Sequence, residues 1–447
     1  MGLFDRLRGD SDGRVAFFGI DGVPFSLIRD NPERFPNLTT LADEGAAGAI
    51  DSIVPPESSA CWPALTSGLN PGETGVYGFQ DREVGSYDPY VPTCNDVQTP
   101  RLWDRVTDAG RDATVMNVVV TYPPQRDIQR MVSGFLSPGL EKAAHPEEFR
   151  RELESMDYRI DVNPKLGHKE DKSEFMADAY ETLEARQQAF ERYVERDDWD
   201  LFFGVFMTPD RVNHFLFRDY EHDGPNREAF LEFYEQLDEY LGRLRGMLGD
   251  DTTMIVASDH GFTSLDYEVH CNALLEREGW LSYRSDDHDS LDDISGDAKA
   301  YSLIPGRFYI NREGREPRGG VPEAEFEETR AELKEMLENL EGPDGTPVAD
   351  RVVTSEEAYR GPHTDIAPDL TVVPNHGFDL KSGFGGDAEV FDTGPRNGMH
   401  SFDNASLFVD DDSARIQDSD LYDIAPTVLS LMDIEFDRGA FDGTSLV

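Results

Sequence analysis

The chain has 447 residues, enough to bury a large core, and 38% hydrophobic content with 27 Phe, 16 Tyr and 4 Trp excludes a disordered polypeptide. Its 90 acidic residues face 41 basic ones, and a net charge of −49 argues against a nucleic-acid duplex as partner. No run reaches the roughly 18–20 apolar residues that span a bilayer, so no membrane role is expected.

The opening Met1-Gly-Leu-Phe-Asp-Arg-Leu-Arg is too short and too charged for a signal peptide, which predicts a cytoplasmic protein. The first apolar run, residues 15–20, reads as a strand and ends in Asp21-Gly22. Next comes Pro55-Pro-Glu-Ser58-Ser-Ala-Cys-Trp62-Pro63, a Pro-rich approach to a short helix. Pro63 lacks an N–H, so the regular helix is predicted to start near Trp62 with Pro63 in its first turn. Ser58 there reads either as a helix cap or as a nucleophile, because helix N-termini favour negative charge.

Further strands are predicted at 113–120, 201–207, 253–257, 370–373 and 406–409, and helices at 173–196, 227–248, 323–340 and 421–432. Continuous apolar strands alternating with amphipathic helices predict an α/β fold: a mostly parallel central sheet sandwiched by helices. Residues 123–172 carry few strand signals. The acidic, Gly- and Pro-containing stretch 281–345 reads as an inserted, smaller subdomain within one catalytic domain spanning 1–447.

Three of the strands end in chemistry-bearing residues: Asp21, then Asp210-Arg-Val-Asn-His214, then Asp259-His260. Singly, an Asp after a strand is commonly a cap or turn former. Together they offer the oxygen and imidazole donors expected of a divalent-ion site. Asp210 and His214 stand at i and i+4, so a helical turn puts them on one face. His400, in Gly398-Met-His-Ser-Phe, is a further candidate that no local feature singles out. The other seven histidines read as surface or loop residues, with His270 and His363 the best placed for a supporting role.

Acids are spread along the whole chain and only seven of its cations are lysines. Such an excess self-repels in dilute buffer, so the protein is predicted to work in molar salt, as in a halophile. Three cysteines without a CxxC pair indicate neither a disulfide framework nor a zinc ribbon, and read as buried thiols.

Taken in order, these fragments resemble the alkaline phosphatase superfamily on its type I phosphodiesterase/nucleotide pyrophosphatase side. The resemblance runs through Gly19-Ile-Asp-Gly-Val-Pro24, the Ser58 motif into Thr66-Ser-Gly-Leu-Asn-Pro-Gly72, Asp210-Arg-Val-Asn-His214 and Ser258-Asp-His-Gly-Phe262. It continues through Gly306-Arg-Phe-Tyr-Ile-Asn-Arg-Glu-Gly-Arg-Glu-Pro317, Pro368-Asp-Leu, His400 and Asp423-Ile-Ala-Pro-Thr-Val-Leu-Ser-Leu. It implies an alkaline-phosphatase-like fold and two divalent ions, zinc first, with Mn, Fe or Co admissible. Asp210, His214 and His400 would hold one ion; Asp21, Asp259 and His260, with the Ser58 oxygen, would hold the other.

The implied reaction is hydrolysis of a small-molecule phosphate ester, a phosphodiester or nucleotide pyrophosphate, through a phospho-Ser58 intermediate. The chain departs from the family at Phe79, where nucleotide phosphodiesterases carry an Asn that binds a phosphoryl oxygen; Gln80 is the neighbouring substitute. Arg211 and Asn213 are candidate substrate contacts by proximity to Asp210 and His214. A phosphomonoesterase or phosphomutase would share this core. A sulfatase would need a C/S-x-P-x-R setting that Ser58-Ser-Ala-Cys-Trp62 lacks. A catalytically silent binding module would be expected to have lost some of these residues, and all are present.

Overall fold

A computed structural model describes residues 13–285, 287–288, 290–383 and 389–447. The N-terminal octapeptide discussed above lies outside the described residues. The central sheet has eight strands in the order Ala46–Ile50, Ala405–Val409, Thr252–Ala257, Arg14–Ile20, Leu201–Phe206, Ala113–Val118, Arg130–Ser133 and Ala144–His145. The five strands from Thr252–Ala257 to Arg130–Ser133 run parallel. Ala405–Val409 is antiparallel to both its neighbours, and Ala144–His145 closes the other edge antiparallel.

The continuous apolar runs follow from burial on both faces. Ala16, Phe18 and Ile20 join one core and Val15 and Phe17 the other; Phe202 and Phe206 oppose Leu201, Phe203 and Val205 in the same way. Helices Ser173–Val194, Thr208–Glu221 and Arg227–Arg245 cover the first face, and Ser58–Ser67 and Ile424–Leu431 the second. Phe17, Phe18, Phe202 and Phe203 are fully buried, each adding about 1.5–3 kcal/mol relative to exposure.

A second, antiparallel sheet combines Ala300–Leu303, Arg307–Ile310, Leu370–Pro374 and Ala349–Thr354. Helix Phe326–Glu338 supplies Phe326, Leu333 and Leu337 to its own core. The run at 370–373 thus belongs to this smaller unit rather than to the central sheet, and the unit continues past residue 345 to Pro374. The long strand Gly261–His270 links the two regions, pairing with Gly398–Ser401 through its first half and with Gly377–Lys381 through its second. Among the described residues no helix is long and apolar enough to cross a membrane.

One local expectation is corrected. The helix does not start near Trp62: it spans Ser58–Ser67 with Pro63 inside it. Glu57 is the N-cap, its carboxylate accepting the Ser59 N–H at 3.2 Å. Pro63 leaves the Ser59 carbonyl without its helical donor, a cost of about 3 kcal/mol in an exposed helix. Here all ten residues are buried, and Trp62 packs edge-on against Phe203, so tertiary burial offsets the lost bond.

Candidate active site

Strands Thr252–Ala257, Arg14–Ile20 and Leu201–Phe206 are neighbours, with Gly19 level with Ala257 and Ile20 with Phe206. Their carboxyl ends therefore deliver Asp259, Asp21 and the start of helix Thr208–Glu221 to one edge of the sheet, where parallel α/β folds bind ligands. Asp210 sits in that helix's first turn, with His214 one turn on. His400 arrives from far along the chain on Gly398–Ser401, opposite Phe262. Gly22, at φ +69°, turns the chain after Asp21, and a Cβ there would meet Asp210 at 3.3 Å.

The donor atoms converge. Ligand atoms of Asp21, Asp259 and His260 lie within 4.8 Å of one another, as do those of Asp210, His260 and His400. His400 Nε2 is 3.1 Å from Asp210 Oδ1 and 3.2 Å from His214 Nε2. Ser58 Oγ lies 3.2 Å from His260 Nε2 and 3.4 Å from Asp21 Oδ1. All seven predicted catalytic and ligand residues thus meet in one cluster, with His260 adjoining both halves. Ser58 is the first helical residue rather than the cap, so its hydroxyl is free for the cluster.

The surroundings fix each donor. His214 Nδ1 faces the Gly398 carbonyl at 3.2 Å, His260 Nδ1 that of Gly261 at 2.9 Å, and His400 Nδ1 that of Pro56 at 3.0 Å. Each ring therefore donates from Nδ1 and turns its Nε2 lone pair inward, the usual arrangement of a metal-ligating histidine. Burial drives the His214 and His260 pKa values down, against the opposing pull of Asp210 on each. Trp62 Nε1 donates to Asp21 Oδ2 at 2.7 Å.

The carboxylates show what the cluster lacks. Burial, then Asp259 and Asp210, pushes Asp21 well above the ordinary carboxylate range. Burial lifts Asp259 to about 7 against the opposing pull of His400. Burial also acts on Asp210, yet His214, His400 and Arg211 hold it well below normal. Asp259 Oδ2 is buried and accepts no hydrogen bond among the described residues. Inward lone pairs, crowded acids and an orphaned oxygen are the chemistry of a donor set for divalent cations.

Ser58, Asp210, His214 and His400 form one wall of a cavity of about 410 Å³, whose apolar sides include Phe79, Phe135, Ile304 and Leu380, while Asp21, Asp259 and His260 are fully buried. Arg211 lines it too, bonded to Asp161 and Asp210 at 2.9 Å each and stacked on Phe135. Asn213 does not: its amide donates to the Gly22 carbonyl and accepts the Tyr234 hydroxyl, each at 2.7 Å, tying the helix to the Asp21 turn. Gln80 also lies outside the lining; its carbonyl accepts the Arg307 guanidinium, and Phe79 faces the cavity instead. His270 and His363 likewise lie off the lining. The sequence reading did not single out Glu57, Trp62, Lys381 or Arg396, although the scarcity of lysine was a signal for Lys381.

The sequence profile of the type I phosphodiesterase/nucleotide pyrophosphatase family matches residues 15–403, which carry every residue of the cluster. The chain belongs to that family. Family membership makes it a phosphoric ester hydrolase of the alkaline phosphatase superfamily. No curated protein matches the sequence. Among solved structures, phosphonoacetate hydrolase from Sinorhizobium meliloti 1021, in complex with phosphonoformate, superposes with a TM-score of 0.65 at 15% identity, over 94% of this chain and 96% of that one. Murine ectonucleotide pyrophosphatase/phosphodiesterase 5 gives 0.54 at 13% identity, over 94% and 95%. The human protein gives 0.56 at 12% identity, over 96% and 97%. At these identities the likeness is one of fold: the mostly parallel sheet and its helical layers.

Proposed function

We propose that this family member cleaves a small phosphate ester, a phosphodiester or nucleotide pyrophosphate, with Ser58 as nucleophile and two bound divalent cations. The observation that carries the reading is Ser58 Oγ, at a helix N-terminus on the cavity wall, within 3.4 Å of both His260 and Asp21. Asp210, His214 and His400 would hold one cation, and Asp21, Asp259 and His260, with Ser58, the other. Such ions lower the pKa of a bound hydroxyl and balance charge on the attacking and leaving oxygens.

The chain's own contribution is position. Glu57 caps the helix and fixes where Ser58 begins it, and the helix N-terminus favours negative charge on Oγ. Attack forms the Oγ–phosphorus bond as the bond to the leaving oxygen breaks; water then hydrolyses phospho-Ser58 and restores the hydroxyl. Arg211 anchors Asp210, and Phe79 and Phe135 give the cavity apolar sides. The solved relatives' ligands, phosphonoformate, phosphonoacetate and AMP, support a small phosphorus-bearing substrate. Three unpaired cysteines suit a reducing, cytoplasmic setting, and the acidic chain suits molar salt.

The test compares the protein with Ser58→Ala in about 3 M KCl, where surface charge is screened. Zn²⁺ or Mn²⁺ is added, and the substrates are bis-p-nitrophenyl phosphate, p-nitrophenyl phosphate and phosphonoacetate. Metal-dependent turnover of the diester, lost in the variant, is expected. Preference for the monoester would replace the diesterase reading with a monoesterase, and failure to bind metal would overturn the proposal. Thermal midpoints no higher at about 3 M than at about 0.1 M KCl would remove the salt reading.

A further inference from the structure

The cavity lined by part of the ligand cluster also carries two cations that the chemistry above does not use, Lys381 and Arg396. In a chain with 90 acids against 41 basic residues, an arginine normally finds a carboxylate. Arg396 makes no hydrogen bond or ion pair among the described residues, although it is partly buried and faces the cavity. Lys381, one of seven lysines, pairs with Asp379, which leaves the other ammonium protons free. Two cations against one carboxylate give this wall a net positive charge in a strongly acidic protein.

Both residues are held on rigid backbone. Lys381 ends the strand Gly377–Lys381, which pairs with the second half of Gly261–His270. Arg396 precedes Asn397, whose N–H donates to the His214 carbonyl at 2.8 Å and whose carbonyl accepts the Leu265 N–H at 2.9 Å. The strand that follows Asp259-His260 therefore fixes the distance between the ligand cluster and the cationic wall. A cation kept beside an intended cation site, without a partner of its own, is explained by an anion that arrives with the substrate.

We propose that Arg396 and Lys381 bind a second oxyanion of the substrate, a carboxylate or phosphate separated from the reacting phosphoryl group by a short apolar spacer. This deepens the hydrolase reading and rests on it for the position of the reacting group. Arg396 offers the planar fork that pairs with either oxyanion, Lys381 adds a point charge, and Ile304 and Leu380 give the spacer an apolar surface.

Calorimetric titration of Ser58→Ala with three esters tests this: ethyl, carboxymethyl and 2-phosphoethyl p-nitrophenyl phosphate. At least one of the two anionic esters should bind at least about tenfold more tightly than the ethyl ester, the worth of a charge-assisted hydrogen bond. Whichever is tighter identifies the oxyanion. Adding Arg396→Gln should erase the preference and Arg396→Lys restore part of it, with thermal midpoints confirming that each variant folds. Equal affinity for all three esters, or a preference that survives Arg396→Gln, would overturn the inference. Turnover by the Ser58 protein separates the two claims. Anion preference without turnover leaves this site standing and sinks the hydrolase mechanism, whereas turnover without preference does the reverse.

Discussion

The central sheet and the smaller antiparallel sheet both bury carboxylates, and two at the end of the central sheet, Asp21 and Asp259, are treated differently from the rest. Around the smaller unit the buried acids Asp369, Glu316 and Asp81 each have an arginine. Arg315 grips Asp369 through two bonds of 2.6 and 2.8 Å and Glu316 at 2.7 Å, and Arg307 pairs with Asp81. At the end of the central sheet, Asp21 and Asp259 are equally buried, face each other, and bond no arginine among the described residues. Acids neutralised by arginine hold a fold together; acids left facing one another are a donor set that a cation would suit. The first pattern builds a wall, and the second builds chemistry.

The sharpest way to break this comparison is to remove the nucleophile. Ser58→Ala should lower kcat on bis-p-nitrophenyl phosphate at least about 10³-fold while the unfolding midpoint hardly moves. A small loss would return Ser58 to a structural role. Next in size is Arg307→Ala, which leaves Asp81 buried without its ion pair and unbolts the smaller sheet from the segment at 80–81. Denaturant unfolding should register a loss of about 3–5 kcal/mol, and a loss under about 1 kcal/mol would show that the paired acids are not what holds the wall.

Trp62→Phe sharpens the other side. It deletes the 2.7 Å bond to Asp21 and keeps an aromatic, though smaller, ring, so zinc affinity measured against a competing chelator should fall roughly 10- to 100-fold. Unchanged affinity would mean that Asp21 needs no orientation. The smallest effect belongs to His376–Asp403, a 3.1 Å pair that bridges the two regions. The hydrogen bond to Asp403 raises the His376 pKa, so this contribution is full below about 6.5 and fades as pH rises through the raised value. The same bond lowers the Asp403 pKa, so its contribution is full above about 3.9 and fades as pH falls through the lowered value. The side chains are 61% and 56% exposed, so solvent screening limits His376→Gln to about 0.5 kcal/mol or less, and only below the raised His376 pKa. A loss persisting at pH 9 would assign the residue a packing role instead.

Much of the catalytic half was legible because burial on both faces writes itself into sequence. The strands at 15–20, 201–207 and 253–257 were found to within a residue, and with them the level at which Asp21, Asp210 and Asp259 leave the sheet. The i, i+4 spacing of Asp210 and His214 needed only a helix, and one is there. The helix start at Ser58 was misread because proline's local cost is visible in sequence whereas the burial that offsets it is not. Asn213 looked like a substrate contact by its neighbours; on a helix, neighbours diverge, and its side chain went to Gly22 and Tyr234. Residues 370–373 read as a buried strand correctly, but the run itself carries no mark of which sheet will take it.

The sequence by itself therefore determined the layered α/β class, the strand-end acids and the chemistry of the donors, since periodicity and residue type are local quantities. No local feature marked His400, which only the family resemblance grouped with Asp210 and His214 and which the fold brings to them from 190 and 186 residues away. Tertiary structure alone decided that Phe79 rather than Gln80 faces the cavity and that Lys381 and Arg396 stand in its lining. Those outcomes depend on which strands pair and how a linking strand is shared, and pairing is a property of the whole chain rather than of any window within it.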